Sequence, residues 1–475
     1  MAVPLATVLF YPEDLRYAWC FLVPSLASIL LGMLVSLLTP NQDENAVGLQ
    51  LPMQKGSLPV LFAWCYAIFV GAIPFVLTGQ SGMMYALFES VAGWTTTGQS
   101  VMDVTTMPNI LLFHRAFMQY CGGLGFIVMI AMVVQGKNNM NLYYAEGHQE
   151  RLMPSLRKTS QTIFLLYNCF LAAGALLYSL FGMDIFDAVC HAMSALATAG
   201  FTTQANSIGQ YHSLPIEIVT IVLMLIGSTN FAILLLLVKG KFRQILQVSE
   251  VRFMLGVIAV FVSLTTFSFI FTTDMSFWQS LRHATFGIVA ALSTTGYSIM
   301  KYTAWPPFAM GLLFVLMFIG GCAGSTAGGI KMMRAYLLVR LTVENVTRRL
   351  SSTRKVTALT YNRVQGKEMI DSALIKDTVG FITSYMLLYV AGTLLLTLTA
   401  RCSLPDAMFE FAAAFGTTGI SNGLTLANPN AGTLIVLMSG MILGRLEIFI
   451  VFIGVHSAFI ITKRRIRRLT AGSLK

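Results

Sequence analysis

The sequence predicts an all-α polytopic membrane protein. Four pseudo-symmetric repeats, each a membrane helix, a pore loop and a second membrane helix, are expected to surround a central pore, with an N-terminal helical extension. Three observations predict this fold class. Hydrophobic residues make up 56% of the chain and charged residues 11%, against about 25% charged in a typical soluble domain. Several apolar stretches reach the length of about 20 residues that crosses a bilayer, and one short motif recurs four times between them.

Nine apolar stretches are candidate membrane spans, with boundaries uncertain by a few residues. They lie near Tyr17–Leu38, Leu58–Leu77, Ile110–Gln135, Thr162–Phe181, Pro215–Val238, Phe253–Thr273, Phe308–Val339 (interrupted), Lys376–Thr399 and Gly432–Thr462. They divide the chain into an N-terminal extension, 1–57, and four pore repeats, 58–138, 139–242, 243–350 and 351–475. The extension contains one clear membrane helix, and the sequence leaves a second one open.

The distribution of charge predicts the topology. The formal net charge is +11, and basic residues crowd alternate loops and the C-terminal tail. The clusters are Lys137, Arg151, Arg157 and Lys158; Lys239, Lys241, Arg243 and Arg252; ten residues from Lys331 to Lys376; and the tail from Lys463 to Lys475. Because basic loops stay in the cytoplasm, the pore loops are expected to enter from outside. This role is favoured over nucleic-acid binding, while docking of a cytosolic partner or anionic lipid stays open.

Other classes of protein are disfavoured by what the sequence lacks. The seven cysteines are scattered and form no CxxC pair, so neither a disulfide framework nor a zinc site is indicated. The N-terminus has no basic region before its first apolar stretch, so a removable signal peptide is not expected. The sequence contains no spaced His/Asp/Glu metal set and no nucleophile–base pattern, so no enzyme is expected.

The recurring motif is Thr, then a small or hydroxyl residue, then Gly, after an apolar stretch too short to cross a bilayer. Its copies are Thr96-Thr97-Gly98, Thr198-Ala199-Gly200, Thr294-Thr295-Gly296 and Thr417-Thr418-Gly419. Non-helical backbone at membrane depth is tolerated only where protein buries it or water lines it, so four such bends predict a common central cavity. Asp187 and Asp406 are predicted to be the N-caps of the short helices in the second and fourth copies.

These bends are expected to present backbone carbonyls, and a ring of carbonyls can hold a dehydrated alkali cation. The half helices would point their C-terminal ends inward, where their partial negative charge favours a cation. An anion would need donors, and the four segments contain no Arg or Lys. Tight small-residue contacts between membrane helices are the alternative. One copy would favour that alternative, but four copies in matched positions favour a cation filter.

The four copies resemble the filter segments of the Trk/Ktr/HKT superfamily of potassium transporters, over residues from about Leu58 to Thr462. The resemblance implies one glycine per filter strand, in the pattern associated with selectivity for potassium over sodium. Those glycines are Gly98, Gly200, Gly296 and Gly419. The residues that follow them do not complete the TVGYG signature of potassium channels, so weaker selectivity is expected. They are Gln99, Phe201, Tyr297 and Ile420.

The second helix of the third repeat is interrupted by a glycine-rich segment, residues 320–331. Five glycines in ten residues cannot maintain a helix, so the segment is predicted to loop out inside the membrane beneath the filter. The resemblance implies an intramembrane gating loop, and a gate is favoured over an inert kink because small residues move aside at modest cost. The expected gating residues are Gly320, Gly321, Gly324, Ser325, Thr326, Gly328, Gly329 and Lys331, joined by Arg445.

Arg445 lies inside the last span, in Gly-Arg-Leu-Glu-Ile-Phe. An Arg inside a membrane is costly and is expected to face a polar cavity, loop carbonyls or a carboxylate. Pairing with Glu447 is disfavoured, because residues two apart do not share a helix face. The resemblance, here to the TrkH branch, implies that this Arg reaches the gating loop and forms a positive barrier in the pore.

Other polar residues within or beside the spans receive structural interpretations. His114 and Arg115 are expected to anchor the outer end of their helix, and His191 and His283 to be buried, hydrogen-bonded histidines. Glu89 and Glu410 lie nine residues before the first and fourth glycines. For these two, a negative field behind the filter and polar packing contacts both remain open.

The resemblance implies the ion-conducting, channel-like subunit of a Trk-type potassium uptake system in the bacterial inner membrane. It further implies K⁺ as the transported ion, no organic cofactor in this chain, a homodimer, and a cytosolic nucleotide-binding regulatory subunit similar to TrkA. Membrane lipid is an expected contact and nucleic acid is not. The alternatives are a Na⁺- or H⁺-coupled K⁺ symporter and a weakly selective K⁺/Na⁺ channel, since no mid-membrane carboxylate relay in the sequence forces coupling.

Overall fold

The computed structural model describes residues 1–38, 52–125, 156–350, 359–424 and 429–472. Within these ranges, five helices are long and apolar enough to cross a membrane, or up to seven if two sharply bent helix pairs each form one span. The five are Trp19–Leu38, Pro52–Leu77, Leu156–Leu180, Ser249–Thr272 and Ser372–Ala400. The predicted span Ile110–Gln135 is a helix over Asn109–Leu124, and its residues after 125 lie outside the described residues. Lys137 and Arg151 of the basic clusters lie outside the described residues too.

Four consecutive units follow the same order of long helix, half helix and second helix. Their half helices are Met83–Trp94, Ile185–Leu196, Phe277–Leu292 and Leu404–Phe415. The second helices are Asn109–Leu124, Leu214–Gly227, Pro307–Ile319 and Ala431–Arg445. Each second helix packs against the half helix of the next unit, and that of the fourth unit packs against Met83–Trp94. The four units therefore close into a ring, with the half helices buried at its centre.

The starts of the half helices differ from the prediction. The N-cap of the second is Asp184, whose carboxylate accepts from the backbone N–H of Phe186, and the N-cap of the fourth is Ser403, which accepts from Asp406. Asp187 and Asp406 each lie three residues after the N-cap, in the first helical turn, where a negative charge still interacts favourably with the positive end of the helix. The prediction of both as N-caps was wrong, because a cap acts on amides two or three positions ahead.

Two predicted spans are broken rather than straight. Pro215–Val238 consists of Leu214–Gly227 and Phe231–Val238, inclined at 120°, and Gly432–Thr462 consists of Ala431–Arg445 and a helix from Ile448, inclined at 105°. The first break is built from hydroxyl and amide side chains. Thr229 Oγ1 donates back to the Leu225 carbonyl at 2.6 Å, and Asn230 caps the next helix through the N–H of Ala232 at 2.7 Å. At the second break, Glu447 takes a left-handed φ of 57°.

The third unit is broken as the sequence predicts. Its second helix, Pro307–Ile319, ends at Gly320, and Met332–Leu350 begins after residue 331. The described residues between Met332–Leu350 and Ser372–Ala400 also contain a hairpin, Thr360–Arg363 paired antiparallel with Gly366–Met369, which the sequence analysis did not predict. The N-terminal residues form two 3₁₀ helices, Val3–Leu9 and Pro12–Tyr17, before the span Trp19–Leu38.

Candidate functional site: a ring of four Thr-x-Gly segments

Four short backbone segments, which we call filter segments 1 to 4, follow the four half helices and share one conformation. The first Thr of each is left-handed, with φ of 56° at Thr96, 51° at Thr198, 58° at Thr294 and 53° at Thr417. The glycine of each is left-handed too, with φ of 77°, 82°, 73° and 75° at Gly98, Gly200, Gly296 and Gly419. A non-glycine residue rarely adopts this conformation, so four repetitions at matched positions mark a shared backbone design.

The segments form a closed ring in chain order. A methyl group built on each glycine would overlap the carbonyl oxygen of the middle residue in the next segment, at a separation that real Cβ atoms do not show. The pairs are Gly98 with Ala199, Gly200 with Thr295, Gly296 with Thr418 and Gly419 with Thr97. Because each glycine lies against the carbonyl of its neighbour, the ring leaves no room for a side chain at any of these four positions.

The backbone N–H groups of the segments are used inside their own units. Thr97 and Gly98 donate to the Ala92 carbonyl at 3.0 and 3.2 Å, and Thr418 and Gly419 donate to the Ala413 carbonyl at 2.8 and 3.3 Å. Segment 3 repeats this arrangement, and in segment 2 Ala199 donates to the Ser194 carbonyl at 3.0 Å. The ring therefore offers oxygen atoms rather than N–H donors, which is the chemistry of a cation site.

Opposite segments of the ring resemble each other more than neighbours do. In segments 1 and 3 the residue that ends the half helix is a hydroxyl residue bonded to the middle Thr, as Thr95 with Thr97 at 2.8 Å and Ser293 with Thr295 at 2.8 Å. In segments 2 and 4 the corresponding helix-ending residues are Ala197 and Gly416, which cannot make this bond. The ring is pseudo-fourfold in its backbone and closer to twofold in its side chains.

The predicted loop, residues 320–331, lies directly against the inner ends of three filter segments. Gly328 donates its N–H to Thr294 Oγ1 at 3.2 Å and is so close to Thr417 Oγ1 that a Cβ on Gly328 would overlap it. Thr326 Oγ1 lies 2.9 Å from Thr198 Oγ1 and donates to the Gly227 carbonyl at 2.9 Å. The loop therefore covers segments 2, 3 and 4 on the side where each half helix ends.

The loop is also attached to the break in the second unit and to the helix Ser249–Thr272. Cys322 N–H donates to the Ser228 carbonyl at 2.8 Å, and Asn230 Nδ2 donates to the Ala323 carbonyl at 2.6 Å. Ala323 N–H in turn donates to Glu250 Oε1 at 2.8 Å. The bend that the sequence analysis missed thus supplies the carbonyl and amide groups on which the loop rests.

Arg445 connects the loop to the first unit. Its guanidinium donates to the carbonyls of Thr326 in the loop and of Gly122, and reaches the Gly123 carbonyl at 3.3 Å. Of the three kinds of partner predicted for Arg445, a polar cavity, loop carbonyls or a carboxylate, these contacts are with carbonyls. Glu447 is paired with Arg334 instead, at 3.2 Å, and the Lys331 ammonium donates to the Ala327 carbonyl within the loop.

Glu89 lies behind segment 1 in a buried ion pair. Its Oε2 is 3.1 Å from Arg115 Nε, and both side chains are almost fully buried, at 0% and 2% exposed. Its Oε1 accepts from Ser100 Oγ at 2.5 Å and from Val101 N–H at 2.8 Å. The sequence analysis placed Arg115 at the outer end of its helix and did not find this pair, whose members lie 26 residues apart on different helices.

The side chain after each of the first three glycines reaches back to the preceding unit. Gln99 Nε2 donates to Glu410 of unit 4 at 3.3 Å, and the Arg115 guanidinium of unit 1 lies 4.0 Å from the centre of the Phe201 ring. Tyr297 Oη donates to the His191 and Phe201 carbonyls of unit 2 at 3.3 and 3.1 Å. These three side chains therefore connect neighbouring units through contacts that are additional to the glycine–carbonyl contacts of the ring.

Within the described residues, no group of three or more His, Cys, Asp or Glu side chains could hold a metal ion. The hydroxyl groups of Thr96 and Thr417 at the ring are buried and have no hydrogen-bond partner among these residues.

Known proteins resemble this chain over nearly its whole length. The profile of the TrkH family, described as a cation transport protein, matches residues 27–459. The Trk system potassium uptake protein TrkH of Halomonas elongata is 29% identical, with 97% of this chain and 95% of the relative covered. An uncharacterized cation transporter of Methanocaldococcus jannaschii is 26% identical over 98% of this chain and 94% of its own.

A solved structure gives the same result for the fold. The crystal structure of the potassium transporter TrkH from Vibrio parahaemolyticus matches with a TM-score of 0.78 and 27% identity, covering 95% of this chain and 96% of that chain. The predicted all-α polytopic fold and the predicted family are thereby confirmed. The chain is a multi-pass membrane protein that belongs to the TrkH family of cation transporters.

Proposed function

We propose that this chain takes up K⁺ across the bacterial inner membrane as the ion-conducting subunit of a Trk-type system. The observation that carries the proposal is the closed ring of four Thr-x-Gly segments, in which each glycine lies against a carbonyl of the next segment. The names of the relatives, Trk system potassium uptake proteins, support K⁺ as the ion.

In this mechanism K⁺ loses its water and is held by the oxygens of Thr96, Thr97 and Gly98 and of their counterparts in the other segments. The counterparts are Thr198, Ala199, Gly200, Thr294, Thr295, Gly296, Thr417, Thr418 and Gly419. Entry into a negative cytoplasm releases about 2.3 kcal/mol per charge for each 100 mV, so the membrane potential alone drives accumulation.

The loop at residues 320–331 is the gate of this pathway. Its contacts with Thr198, Thr294 and Thr417 lie where an ion leaving the ring would pass. Arg445 adds a positive charge at the same level and holds the loop through the Thr326 carbonyl. Flux then requires the loop and Arg445 to separate, which an effector bound elsewhere can favour.

Assembly is part of the proposal. The words "Trk system" in the names of the relatives support association with other components, and we propose a homodimer that binds a cytosolic nucleotide-binding subunit similar to TrkA. The described basic residues of the cytosolic loops, among them Lys239, Lys241 and Arg243, offer positive charge for that contact. Co-purification of the full chain with such a subunit, lost in a Lys239→Glu, Lys241→Glu, Arg243→Glu variant, would support this part.

The test of the transport proposal is a flux measurement on the purified chain in lipid vesicles, with K⁺, Rb⁺ and Na⁺ and with and without the regulatory subunit. Uptake of K⁺ and Rb⁺ over Na⁺ driven by voltage alone is the expected result. Uptake that requires a Na⁺ or H⁺ gradient would identify a coupled symporter instead. Equal K⁺ and Na⁺ flux would identify a weakly selective channel.

Two variants test the assignments within the pathway. Gly98→Ser or Gly296→Ser is expected to relax selectivity for K⁺ over Na⁺, and unchanged selectivity would count against the filter. Deletion of residues 321–328 is expected to raise flux in folded protein, and an unaltered or lower flux would count against the gate.

A further inference from the structure

Glu410 is a buried carboxylate behind the ring whose three hydrogen-bond partners can all donate to it. Its Oε1 accepts from Ser421 Oγ at 2.8 Å and from Gln99 Nε2 at 3.3 Å, and its Oε2 accepts from Asn422 N–H at 3.2 Å. The side chain is fully buried. An ionised carboxylate only accepts, whereas a protonated one must also donate. The backbone N–H of Asn422 can only donate, and the Ser421 hydroxyl and the Gln99 amide can donate as well, so three donors are available to an ionised Glu410.

This carboxylate lies next to the ring at its outer end. Gln99 directly follows Gly98, and Ser421 is two residues after Gly419, so Glu410 touches the outer continuation of segment 1 and of segment 4. Those two segments are adjacent in the ring, since Gly419 lies against the Thr97 carbonyl. The negative charge therefore faces the junction of two filter segments from behind.

Glu89 provides a built-in comparison within the same molecule. Both carboxylates stand nine residues before the filter glycine, and each accepts from the Ser two positions after it and from the next backbone N–H. Glu89 is neutralised by Arg115 at 3.1 Å. Among the described residues no Lys, Arg or His forms an ion pair with Glu410, and the nearby undescribed residues 425–428 contain no basic residue.

A buried charge is costly unless an opposite charge offsets it. We propose that the cation in the outer part of the filter is the counter-charge of Glu410, so that Glu410 determines the affinity for the transported ion without touching it. The inference rests on the proposed function, because it takes the ring as the path of K⁺. Under this proposal the electrostatic potential differs around the filter, because the fixed negative charge of Glu410 lies on the side of units 4 and 1.

A purely structural role is the competing explanation, because Glu410 also ties Ser421, Asn422 and Gln99 together. The two explanations rank two conservative variants in opposite orders. Glu410→Gln keeps the length and an acceptor oxygen but removes the charge. Glu410→Asp keeps the charge but shortens the reach to its donors. An electrostatic role makes Glu410→Gln the more harmful for K⁺ affinity, and a structural role makes Glu410→Asp the more harmful.

The experiment measures uptake by the purified full-length chain in vesicles as a function of K⁺ and of Rb⁺ concentration. Glu410→Gln is expected to raise the half-saturating K⁺ concentration about tenfold, the effect of one charge about 10 Å away at an effective dielectric constant of about 20. The ratio between K⁺ and Rb⁺ is expected to stay unchanged, because a remote charge acts equally on both ions. Glu410→Asp is expected to remain closer to the unaltered chain.

Asp103→Asn is the matched control, since Asp103 is an exposed carboxylate close after segment 1 that already caps Thr105 at 2.9 Å. Its charge is screened by solvent, so its half-saturation is expected to match that of the unaltered chain. If Glu410→Gln does not fold, Gln99→Lys places a positive charge beside Glu410 and is expected to weaken K⁺ affinity in the same way.

Three results would overturn the inference: an unchanged half-saturation in folded Glu410→Gln, a larger defect in Glu410→Asp, or an altered ratio between K⁺ and Rb⁺. These results differ from failure of the proposed function itself. In that case the unaltered chain would take up no K⁺, whereas here it would transport K⁺ normally and only the role of Glu410 would be lost.

Discussion

The ring of filter segments and the loop at residues 320–331 both depend on glycines, but the two regions are held by different contacts. Both interrupt apolar helices with glycines in left-handed conformations, such as Gly98 in the ring and Gly320 in the loop. The ring segments are held by backbone bonds to their own half helices and by glycine–carbonyl contacts around the circle. The loop meets the ring only at its edge, through Thr326 and Gly328. Glycine-rich segments are thus held mainly around the ring in one case and mainly by the surrounding helices in the other.

The largest effect is expected at the ring, and Gly98→Ala tests it. The left-handed conformation costs an alanine about 1–2 kcal/mol of conformational energy. The new methyl group would also overlap the Ala199 carbonyl of the next segment. We expect near-complete loss of selective K⁺ uptake in vesicles. Gly79→Ala is the matched control, because Gly79 has a φ of 75° with nothing within 4 Å of its would-be Cβ. Equal activity of the two variants would contradict the closed ring.

The next effect is expected where the loop meets the ring. In Gly328→Ala the new methyl group would overlap Thr417 Oγ1, which should keep the loop from seating. Overpacking of this kind costs roughly 1–3 kcal/mol, so basal K⁺ flux should rise about tenfold while selectivity stays unchanged. Gly311→Ala, with open space at its Cβ position, should leave flux unaltered. A fall in flux in folded Gly328→Ala would argue that the loop stabilises the conducting state.

A smaller change in the same direction is expected from Thr326→Val, which keeps the shape but removes the hydroxyl. That hydroxyl bonds to the Gly227 carbonyl and to Thr198 Oγ1, and a buried hydrogen bond contributes about 1 kcal/mol. Basal flux should rise about fivefold, since 1.4 kcal/mol is about a factor of ten. Thr162→Val removes an exposed hydroxyl bonded to its own helix and should change nothing. No change in Thr326→Val would indicate that backbone contacts alone hold the loop.

The smallest effect is expected at the pair of Arg334 and Glu447, which joins the helix after the loop to the break in the last span. The two side chains are 3.2 Å apart and 12% and 21% exposed. Partly exposed pairs contribute about 0–1 kcal/mol, and Arg334 keeps its contact with the Phe381 ring at 3.8 Å in any case. Glu447→Gln should alter basal flux by no more than about fivefold. A double-mutant cycle with Arg334→Gln that gives a larger coupling would identify this pair as a principal latch.

The ring could be predicted from sequence because its signature is local. A Thr and a glycine recur at fixed spacing after each half helix, whereas the carbonyl against which each glycine lies belongs to the next unit and could not be identified. The loop at residues 320–331 could be predicted from sequence in the same way, since its glycine content alone excludes a helix. Arg445 could be predicted to seek oxygen atoms because of its cost inside a membrane. Its particular partners, Thr326 and Gly122, lie more than a hundred residues away in the chain and no local pattern identifies them.

The features that sequence reasoning missed depend on such distant partners or on small polar interruptions. Glu89 and Arg115 are separated by 26 residues and lie on different helices. The break after Gly227 is marked only by Ser-Thr-Asn within an apolar run, and hydropathy counted this run as continuous. Asn230 is an N-cap residue type, so the start of a new helix there was available as a signal. The caps at Asp184 and Ser403 were missed because more prominent acidic residues follow them.

The covalent linkage of the four units has a consequence for how this protein can change over generations. In a symmetric homotetramer every substitution appears four times around the axis. Here a gene alteration touches one quarter of the ring, so the loop contributed by unit 3 and the residues Arg445 and Glu410 contributed by unit 4 can each be adjusted without a matching change in the other units. The asymmetry of this ring can therefore arise through single substitutions, which identical subunits do not allow.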